Sequence, residues 1–288
     1  FLDRNSTSRS RIFEFSILRT LTTSFRPALR DVRISAAIFC FKLIFMNYQE
    51  FPVLATVSIR PRRGNSWSAF VLPLVAMMRI FCDFDGTITN RDSIVFLTEY
   101  FGAGVPFREE VLRAIKSGEL SVFEAIRREM ETVRVGWEEA ARALKANIHV
   151  HPTFPAFVRW ARKSGIDLTV VSSGMEPVLD LLIGEFGIPY FAHQVTPLES
   201  GWVYERVPAH DKEVILRQAR REGPLVFIGD GTSDLSAIPY AEILFARKDY
   251  YLSRYCRERS IPHLTFNSFT DIRDHLEKYT AENCTASG

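Results

Sequence analysis

Two aspartates, Asp83 and Asp85, stand one residue apart at the end of an apolar run in the segment RIFCDFDGTITNRDS (79–93). Asp-Gly pairs are common in turns, so a tight turn is one explanation for this placement. The other explanation is a reaction centre, in which one carboxylate attacks a substrate and the other transfers a proton. Polar residues elsewhere in the chain help to decide between the two.

Further polar side chains follow two later apolar runs. Ser172 and Ser173 come after DLTVV, Asp230 and Asp234 come after PLVFI, and Lys212 opens a helix-like stretch. Ligands of open parallel sheets bind beyond the carboxyl ends of the strands. We therefore expect these side chains to meet the first two aspartates in one crevice.

Four carboxylates in a small crevice need a cation, because like charges would otherwise force protons onto some of them. Mg²⁺ suits such a site, since it takes oxygen ligands, keeps several waters and accepts a substrate phosphate. Lys212 and Ser172 then fit as partners of the phosphate, through a positive charge and a hydroxyl donor. Asp83 is the natural nucleophile, forming an aspartyl-phosphate, and Asp85 could protonate the leaving oxygen and then activate water.

The elements that must position these groups form an alternating series from Arg79 onward. Short apolar runs bounded by Gly, Ser or Asp predict strands that are buried on both faces, with helices between them. Strands are predicted at 79–83, 167–174, 224–231 and 242–246. Helices are predicted at 108–117, 121–131, 137–146, 154–163, 176–184, 211–221 and 269–278. This alternation predicts an α/β fold with a doubly wound parallel sheet.

Two spacings refine the predicted fold. The interval between Asp83 and Ser172 is too long for one crossover helix, so we expect a helical insertion covering roughly 92–150 after the first strand. The interval from Ser172 to Asp230 leaves room for a hairpin at 190–207 between two helices.

One inserted helix carries a recognisable start signal. Ser121 and Glu124 have the spacing of a capping box, in which each side chain bonds the backbone of the other residue. Cys82, next to Asp83 on a strand, should point to the opposite face and belong to the core.

The motifs DFDGT, VVSSG, DK and GDGTSD occur in the order and spacing of the four motifs of haloacid-dehalogenase-type phosphatases, across residues 79–280. The chain resembles this family, which implies a Rossmann-like fold. By the same resemblance Asp83 is the nucleophile, Asp85 the general acid and base, and Ser172, with Ser173 beside it, the phosphate-binding hydroxyl residue. Lys212 resembles the lysine that steadies the phosphoryl group.

The resemblance also implies a magnesium site and a cap. Its ligand set comprises Asp83, Asp85 through its carbonyl, and Asp230, with Asp234 binding the ion either directly or through another ligand. The insertion is similar to the helical cap of the phosphoserine-phosphatase-like branch. Within that branch the first motif and the tail LFARKDYYLSRYCRERSIPHLTFNSFTDIRDHLE resemble the phosphatases of methionine salvage, which act on 2-hydroxy-3-keto-5-methylthiopentenyl-1-phosphate.

The stretch before the motif lysine, GWVYERVPAHDK, departs from the cysteine-rich stretch of a bacterial methionine-salvage phosphatase. Phosphoserine or an amino-alcohol phosphate is therefore an alternative substrate for the same cap class. An alternative from another class is a non-catalytic binding or regulatory protein with the same fold. The intact motifs favour an enzyme.

Residues 1–78 differ from the remainder, with a net charge of +7 against −5 for residues 79–288. The apolar runs at 34–45 and 68–78 are shorter than the roughly 18–20 residues that span a bilayer. The arginines stand singly, so the charge gives little support to nucleic-acid binding, which is kept as an alternative for this region.

We interpret residues 1–78 as an extension outside the working domain, and we expect it to be disordered. It is either an Arg/Ser-rich leader, such as an organellar transit peptide, or upstream sequence before a start at Met77 or Met78. Residues 79–280 form the predicted phosphatase domain, and residues 281–288 form a tail.

Four cysteines without CxxC spacing suit a reducing compartment, and a cytoplasmic protein is expected unless the leader directs it to an organelle. The expected partner is a small phosphorylated metabolite, with no nucleic acid and no membrane. The sequence leaves the substrate and the oligomeric state open, a homodimer among the choices.

Overall fold

Parallel strands organise the chain, as the alternating pattern predicts. The computed structural model describes residues 56–59, 68–71 and 78–285, all within one unit, Leu54–Gly288. The predictions for residues 1–55, 60–67 and 72–77 lie outside the described residues, and the two short strands before residue 78 pair only with each other.

The strands are β1 (Thr56–Ile59), β2 (Ser68–Val71), β3 (Arg79–Cys82), β4 (Asp167–Met175), β5 (Tyr190–Thr196), β6 (Val203–Glu205), β7 (Leu225–Gly229), β8 (Ile243–Arg247) and β9 (Leu264–Phe266). The helices are α1 (Ser93–Phe101), α2 (Gly104–Ser117), α3 (Val122–Met130), α4 (Trp137–Asn147), α5 (Phe154–Lys163), α6 (Glu176–Ile183), α7 (Lys212–Arg220), α8 (Tyr251–Glu258) and α9 (Phe269–Thr285). Short 3₁₀ turns occur at 184–186, 208–210 and 233–237.

Seven strands form the main sheet in the order β6-β5-β4-β3-β7-β8-β9. Every pair in it is parallel except β5 with β6, which form the predicted hairpin. Cys82 of β3 lies opposite both Val170 of β4 and Ile228 of β7. This register brings the carboxyl ends of the three central strands together.

The central strands are buried on both faces because helices cover each face of the sheet. Successive residues of β3 point to opposite sides: Ile80 joins a core cluster with Phe154 of α5, and Phe81 joins a second cluster with Leu216 of α7. Cys82 is fully buried, as predicted. The doubly wound α/β architecture is therefore confirmed.

Four helices, α1 to α4, form the insertion between β3 and β4, and we call them the cap. An isolated antiparallel bridge between Thr89 and Val150 joins the two ends of this insertion. The predicted capping box is present, since the Glu124 N–H donates to Ser121 Oγ and the Ser121 N–H donates to Glu124 Oε2.

Five elements were not predicted as such from the sequence, namely β1, β2, α1, α8 and β9. Helix α1 has the sequence SIVFLTEYF, whose mostly apolar residues lack a clear helical period; Asp92 caps it by accepting from the N–H groups of Ile94 and Val95. Helix α8 and strand β9 are short, with eight and three residues. Within the described residues, no helix combines the length and apolar character needed to cross a membrane.

Candidate active site

The carboxyl ends of β3, β4 and β7 carry the predicted polar groups to one place. Asp83 follows β3 directly, and Asp230 follows β7. Ser172 and Ser173 lie within β4, which continues to Met175 after a shift in its register with β5. A single cavity of about 100 Å³ is lined by all four residues.

Lys212, the first residue of α7, is the centre of a buried hydrogen-bonded cluster. Its Nζ donates to Asp83 Oδ1 at 2.6 Å, to Asp234 Oδ1 at 2.6 Å and to Ser233 Oγ at 2.9 Å. Burial alone would lower the pKa of Lys212, but the charges of Asp234 and Asp83 raise it above its usual value. The ammonium group therefore stays protonated and all its donors are used.

Three carboxylates crowd around this ammonium. Asp83, Asp230 and Asp234 each offer an oxygen within 4.8 Å of the others, and all three are buried. Burial and the charge of Asp234 raise the pKa of Asp83 to about 7, although Lys212 opposes the shift. Burial, followed by the charges of Asp83 and Asp234, also raises the pKa of Asp230. One ammonium leaves the group with excess negative charge, so this all-oxygen set suits a hard divalent cation.

Hydrogen bonds from the loop after β7 hold two of these carboxylates in place. Asp234 Oδ2 accepts from the N–H groups of Asp230 at 2.8 Å and Gly231 at 2.9 Å. Asp230 Oδ1 accepts from Thr87 Oγ1 at 2.7 Å. Sequence reasoning missed Thr87 and Ser233 as members of the site, although both stand inside the motifs that mark it.

Asp85 lies apart from the three clustered carboxylates. Its Oδ1 accepts from the N–H of Ser93 at the start of α1, at 2.8 Å, so it joins the strand tip to the cap. Burial, with the nearby charge of Asp92, raises the pKa of Asp85 above its usual value. A raised pKa favours the protonated form, which is the form that a general acid needs.

Two glycines allow these carboxylates to approach the backbone. Gly86 has a φ of +77°, and a Cβ there would lie 2.5 Å from Asp230 Oδ2. A Cβ at Gly174 would lie 2.8 Å from Asp85 Oδ2 and 3.0 Å from Ser172 Oγ. The contacts with Asp230 and Asp85 are closer than a Cβ normally allows, and Gly86 also has a left-handed backbone, which is consistent with the glycines of DFDGT and VVSSG.

The cap supplies the other wall of the cavity. Its apolar part is formed by Ile94, Ile115, Val122 and Ile126, and its polar part by Asp92, Arg108 and Glu129. Sequence reasoning missed Arg108 and Glu129. A signal was available for Glu129, because it falls on the same face of α3 as the buried Ala125 and Ile126.

One aromatic side chain of the cap contacts residues of the β5–β6 hairpin and the segment that follows it. The ring of Phe123 in α3 lies 4.2 Å from the Arg206 guanidinium carbon and 5.1 Å from the ring of His193. Arg206 also pairs with Asp211, the residue before Lys212. Burial lowers the pKa of His193 to about 4, so its ring is neutral in this contact at neutral pH.

The chain matches a family of known enzymes. A model of the haloacid dehalogenase-like hydrolase family matches residues 80–239. This span contains all seven predicted site residues and the whole cap.

Three curated relatives match this chain over nearly their full length. The Pdp3-interacting factor 1 of Schizosaccharomyces pombe is 32% identical, covering 69% of this chain and 94% of that protein. The polyol phosphate phosphatase of Saccharomyces cerevisiae is 27% identical, covering 72% and 96%. The 2-hydroxy-3-keto-5-methylthiopentenyl-1-phosphate phosphatase of Bacillus cytotoxicus is 31% identical, covering 69% and 96%.

Solved structures share the fold at lower identity. A phosphoserine phosphatase, solved as a phospho-aspartyl intermediate analogue, matches with a TM-score of 0.57 and 19% identity, covering 68% of this chain and 97% of that one. A phosphoserine phosphatase from T. onnurineus matches with a TM-score of 0.55, also at 19% identity, covering 69% and 93%.

Proposed function

Because the chain belongs to the haloacid dehalogenase-like hydrolase family and is a phosphatase, we propose that it hydrolyses a small phosphomonoester with Mg²⁺, through an aspartyl-phosphate on Asp83. The observation that carries the proposal is the buried contact between Lys212 and Asp83, beside two further carboxylates. A carboxylate held next to a fixed ammonium is prepared to attack a phosphorus whose oxygens the same ammonium attracts.

The metal would be held by the clustered carboxylates. Asp83, Asp230 and Asp234 supply oxygen donors within 4.8 Å of one another, in keeping with the preference of Mg²⁺ for carboxylates and water. When bound, the ion supplies positive charge that offsets the carboxylates and the phosphate oxygens. The hydrogen bonds to Asp230 and Asp234 described above keep these donors in place.

Formation of the intermediate uses five residues of the chain. An Asp83 carboxylate oxygen bonds to phosphorus while the bond from phosphorus to the substrate oxygen breaks. Asp85 gives its proton to that leaving oxygen, so the alcohol departs neutral. The Lys212 ammonium attracts the phosphoryl oxygens through its charge, and the Ser172 hydroxyl, with Ser173 beside it, binds them.

Hydrolysis of the intermediate returns the protein to its starting state. The Asp85 carboxylate now takes a proton from a water molecule, whose oxygen bonds to phosphorus. The bond from phosphorus to Asp83 breaks, releasing inorganic phosphate and the free carboxylate. One water is consumed and the Asp85 proton is restored, so the cycle balances.

The cap would control access of water to this chemistry. Its two ends meet at the bridge between Thr89 and Val150, and the four helices would move about this connection. Closure would exclude bulk water while the intermediate forms. The hydrogen bond from the Ser93 N–H links Asp85 to α1, the first helix of the cap.

The substrate is proposed to be a small phosphorylated metabolite. The methionine-salvage phosphate is one candidate, supported by a 31% identical relative that bears its name. A polyol phosphate is the second candidate, supported by a relative that covers more of this chain, at 27% identity. Cytoplasmic location and the absence of nucleic-acid and membrane partners remain predictions.

The reaction is tested on the full chain with p-nitrophenyl phosphate, in Mg²⁺ and after treatment with EDTA. We expect phosphate release that needs Mg²⁺ and returns when the ion is restored. In Asp85→Asn, proton transfer is impaired and kcat should fall about 10²–10⁴-fold. Failure of EDTA to reduce turnover would contradict the metal assignment.

The intermediate is tested by intact-mass spectrometry after rapid acid quenching. We expect the mass of one added phosphoryl group, located on the peptide that contains Asp83. The same peptide from the Asp83→Asn variant should carry none. Labelling of a different residue would overturn the proposed nucleophile.

A further inference from the structure

A buried ion pair in the cap has hydrogen-bonding capacity that the protein itself does not use. Arg108 Nε of α2 lies 2.9 Å from Glu129 Oε1 of α3, and their side chains are only 17% and 3% exposed. Among the described residues, Arg108 Nε and Nη1 and Glu129 Oε1 have no hydrogen-bond partner of good geometry. Both residues line the cavity that contains Asp83 and Ser172.

Burying such an ion pair costs free energy unless a further hydrogen-bonding partner completes it. A buried polar atom without a hydrogen bond loses its interactions with water and gains little in return. Burial raises the pKa of Glu129 to about 7; Arg108 opposes this shift and the charge of Asp92 adds to it. The pair is therefore poorly satisfied in the protein alone, and a ligand in the cavity can satisfy it.

We propose that Arg108 and Glu129 bind the carbon chain of the substrate, and that this chain is uncharged and carries neighbouring oxygen groups. The inference rests on the proposed function and names the substrate class of that same site. Arg108 offers N–H donors and Glu129 offers carboxylate acceptors. A hydroxyl group both donates and accepts, so adjacent oxygens of a polyol or hydroxy-ketone match the pair.

Charge in the cavity argues against a charged chain. Arg108 is already neutralised by Glu129, and Asp92 adds a further carboxylate to the same wall. A carboxylate on the substrate would approach two acidic groups in a buried setting, where like charges repel strongly. A zwitterionic chain could bind both partners, but only by giving up the hydration of two charges.

The apolar lining fits the same substrate class. Ile94, Ile115, Val122 and Ile126 provide the hydrocarbon part of the wall, against which the C–H groups of a short chain can pack. Polyol phosphates and the hydroxy-keto ester of methionine salvage both have uncharged, oxygenated chains. Phosphoserine and amino-alcohol phosphates do not.

The test compares three probes of equal chain length: glycerol 3-phosphate, 3-phosphoglycerate and O-phosphoserine. The first ends in a hydroxyl, the second in a carboxylate, and the third carries a carboxylate and an ammonium. With the full-length enzyme in Mg²⁺, we expect kcat/KM for glycerol 3-phosphate to exceed the other two by about tenfold or more. A preference for O-phosphoserine or 3-phosphoglycerate would overturn the inference.

Substitutions at the pair should shift this preference in opposite directions. Glu129→Gln removes the repelling carboxylate, so the ratio of glycerol 3-phosphate to 3-phosphoglycerate should fall about tenfold to a hundredfold. Arg108→Gln removes the attracting guanidinium, so the same ratio should rise. Glu110→Gln, an exposed change on α2, should leave the ratio as in the wild type. A purely structural role would move the ratio in the same direction in both variants and would overturn the inference.

Binding constants separate this inference from the proposed reaction. Calorimetric titration of the Asp83→Asn full chain with the three probes in Mg²⁺ should give the same order of affinity. If the wild type shows no turnover but this order holds, the reaction mechanism fails and the substrate class stands. If turnover is seen but the order is reversed, the mechanism stands and the substrate class fails. Circular dichroism confirms that each variant is folded.

Discussion

The core and the cap each place a positive side chain beside a carboxylate that lines the same cavity, but the two pairs differ in how completely they are bonded. In the core, Lys212 donates to Asp83, to Asp234 and to one hydroxyl, so all its donors have partners. In the cap, Arg108 and Glu129 touch at 2.9 Å without good hydrogen-bond geometry. The polar atoms of the core pair are therefore fixed by hydrogen bonds, whereas those of the cap pair can bond a ligand.

The largest effect is expected from Asp83. Asp83→Asn removes the nucleophile and keeps the size of the side chain, so kcat should fall by at least about a thousandfold. Asp167→Asn makes the same chemical change at an exposed residue where β4 begins, and should leave kcat unchanged. Release of phosphate from p-nitrophenyl phosphate measures both. Near-normal turnover in Asp83→Asn would show that the core cluster is not the reaction centre.

The next effect concerns stability. Lys212→Met leaves the buried carboxylates of Asp83 and Asp234 without their cation, so the free energy of unfolding should fall by about 3–5 kcal/mol at neutral pH. Urea unfolding in EDTA measures it. Lys163→Met, at the exposed end of α5, is the matched control. An equal fall in the free energy of unfolding in the two variants would show that Lys212 stabilises the fold no more than an exposed lysine does.

Glu129 of the cap pair should make the free energy of unfolding depend on pH. The pKa of Glu129 is about 7 in the folded protein, against an ordinary 4.5. Between pH 4.5 and 7, the folded protein therefore keeps a proton on Glu129 that the unfolded protein has released. This stabilising contribution is complete below pH 4.5 and is lost as the pH rises through 7.

Glu129→Gln cannot titrate and should lack this loss. The difference in unfolding free energy between the wild type and the variant should change by on the order of 2 kcal/mol between pH 4.5 and 8. Urea unfolding across that range provides the measurement, with Glu110→Gln as the exposed control. Parallel pH profiles for the wild type and Glu129→Gln would show that Glu129 is ionised throughout and well satisfied.

The smallest effect is expected from a cap residue outside the cavity. Ser121→Ala removes the capping box of α3 and should lower the free energy of unfolding by about 1 kcal/mol. Because Ser121 is not among the cavity residues, kcat should not change. Ser200→Ala, in an exposed turn, serves as the control. A large fall in kcat would indicate that the cap needs this helix end for closure.

Much of the core could be predicted because its signals are local. An apolar run that ends in Asp83 predicts both a buried strand and a polar group at its carboxyl end, and the same holds for Asp230. The capping box at Ser121 depends on residues three apart. Helix α1 was missed because its apolar residues do not repeat with a helical period, and its start depends on the side chain of Asp92.

The cap pair was missed for a different reason. Arg108 and Glu129 belong to different helices, α2 and α3, and neither lies in a motif. Arginine and glutamate on helices usually face water, so their types predict a solvated surface. The pattern of α3 indicates that Glu129 lies on the buried face of the helix, but only the packing of α2 against α3 shows that its partner is Arg108.

The sequence by itself determined the alternation of strands and helices and the polar groups at the strand ends, because these depend on neighbouring residues. The order and spacing of four short motifs determined the family to which the chain belongs. The tertiary structure decided which of those groups contact one another. It joined Lys212 to Asp83 and Asp234, turned Asp85 towards the cap and buried Glu129 beside Arg108. The energy of a charge depends on its burial and on partners distant in sequence, and both are set only when the chain has folded.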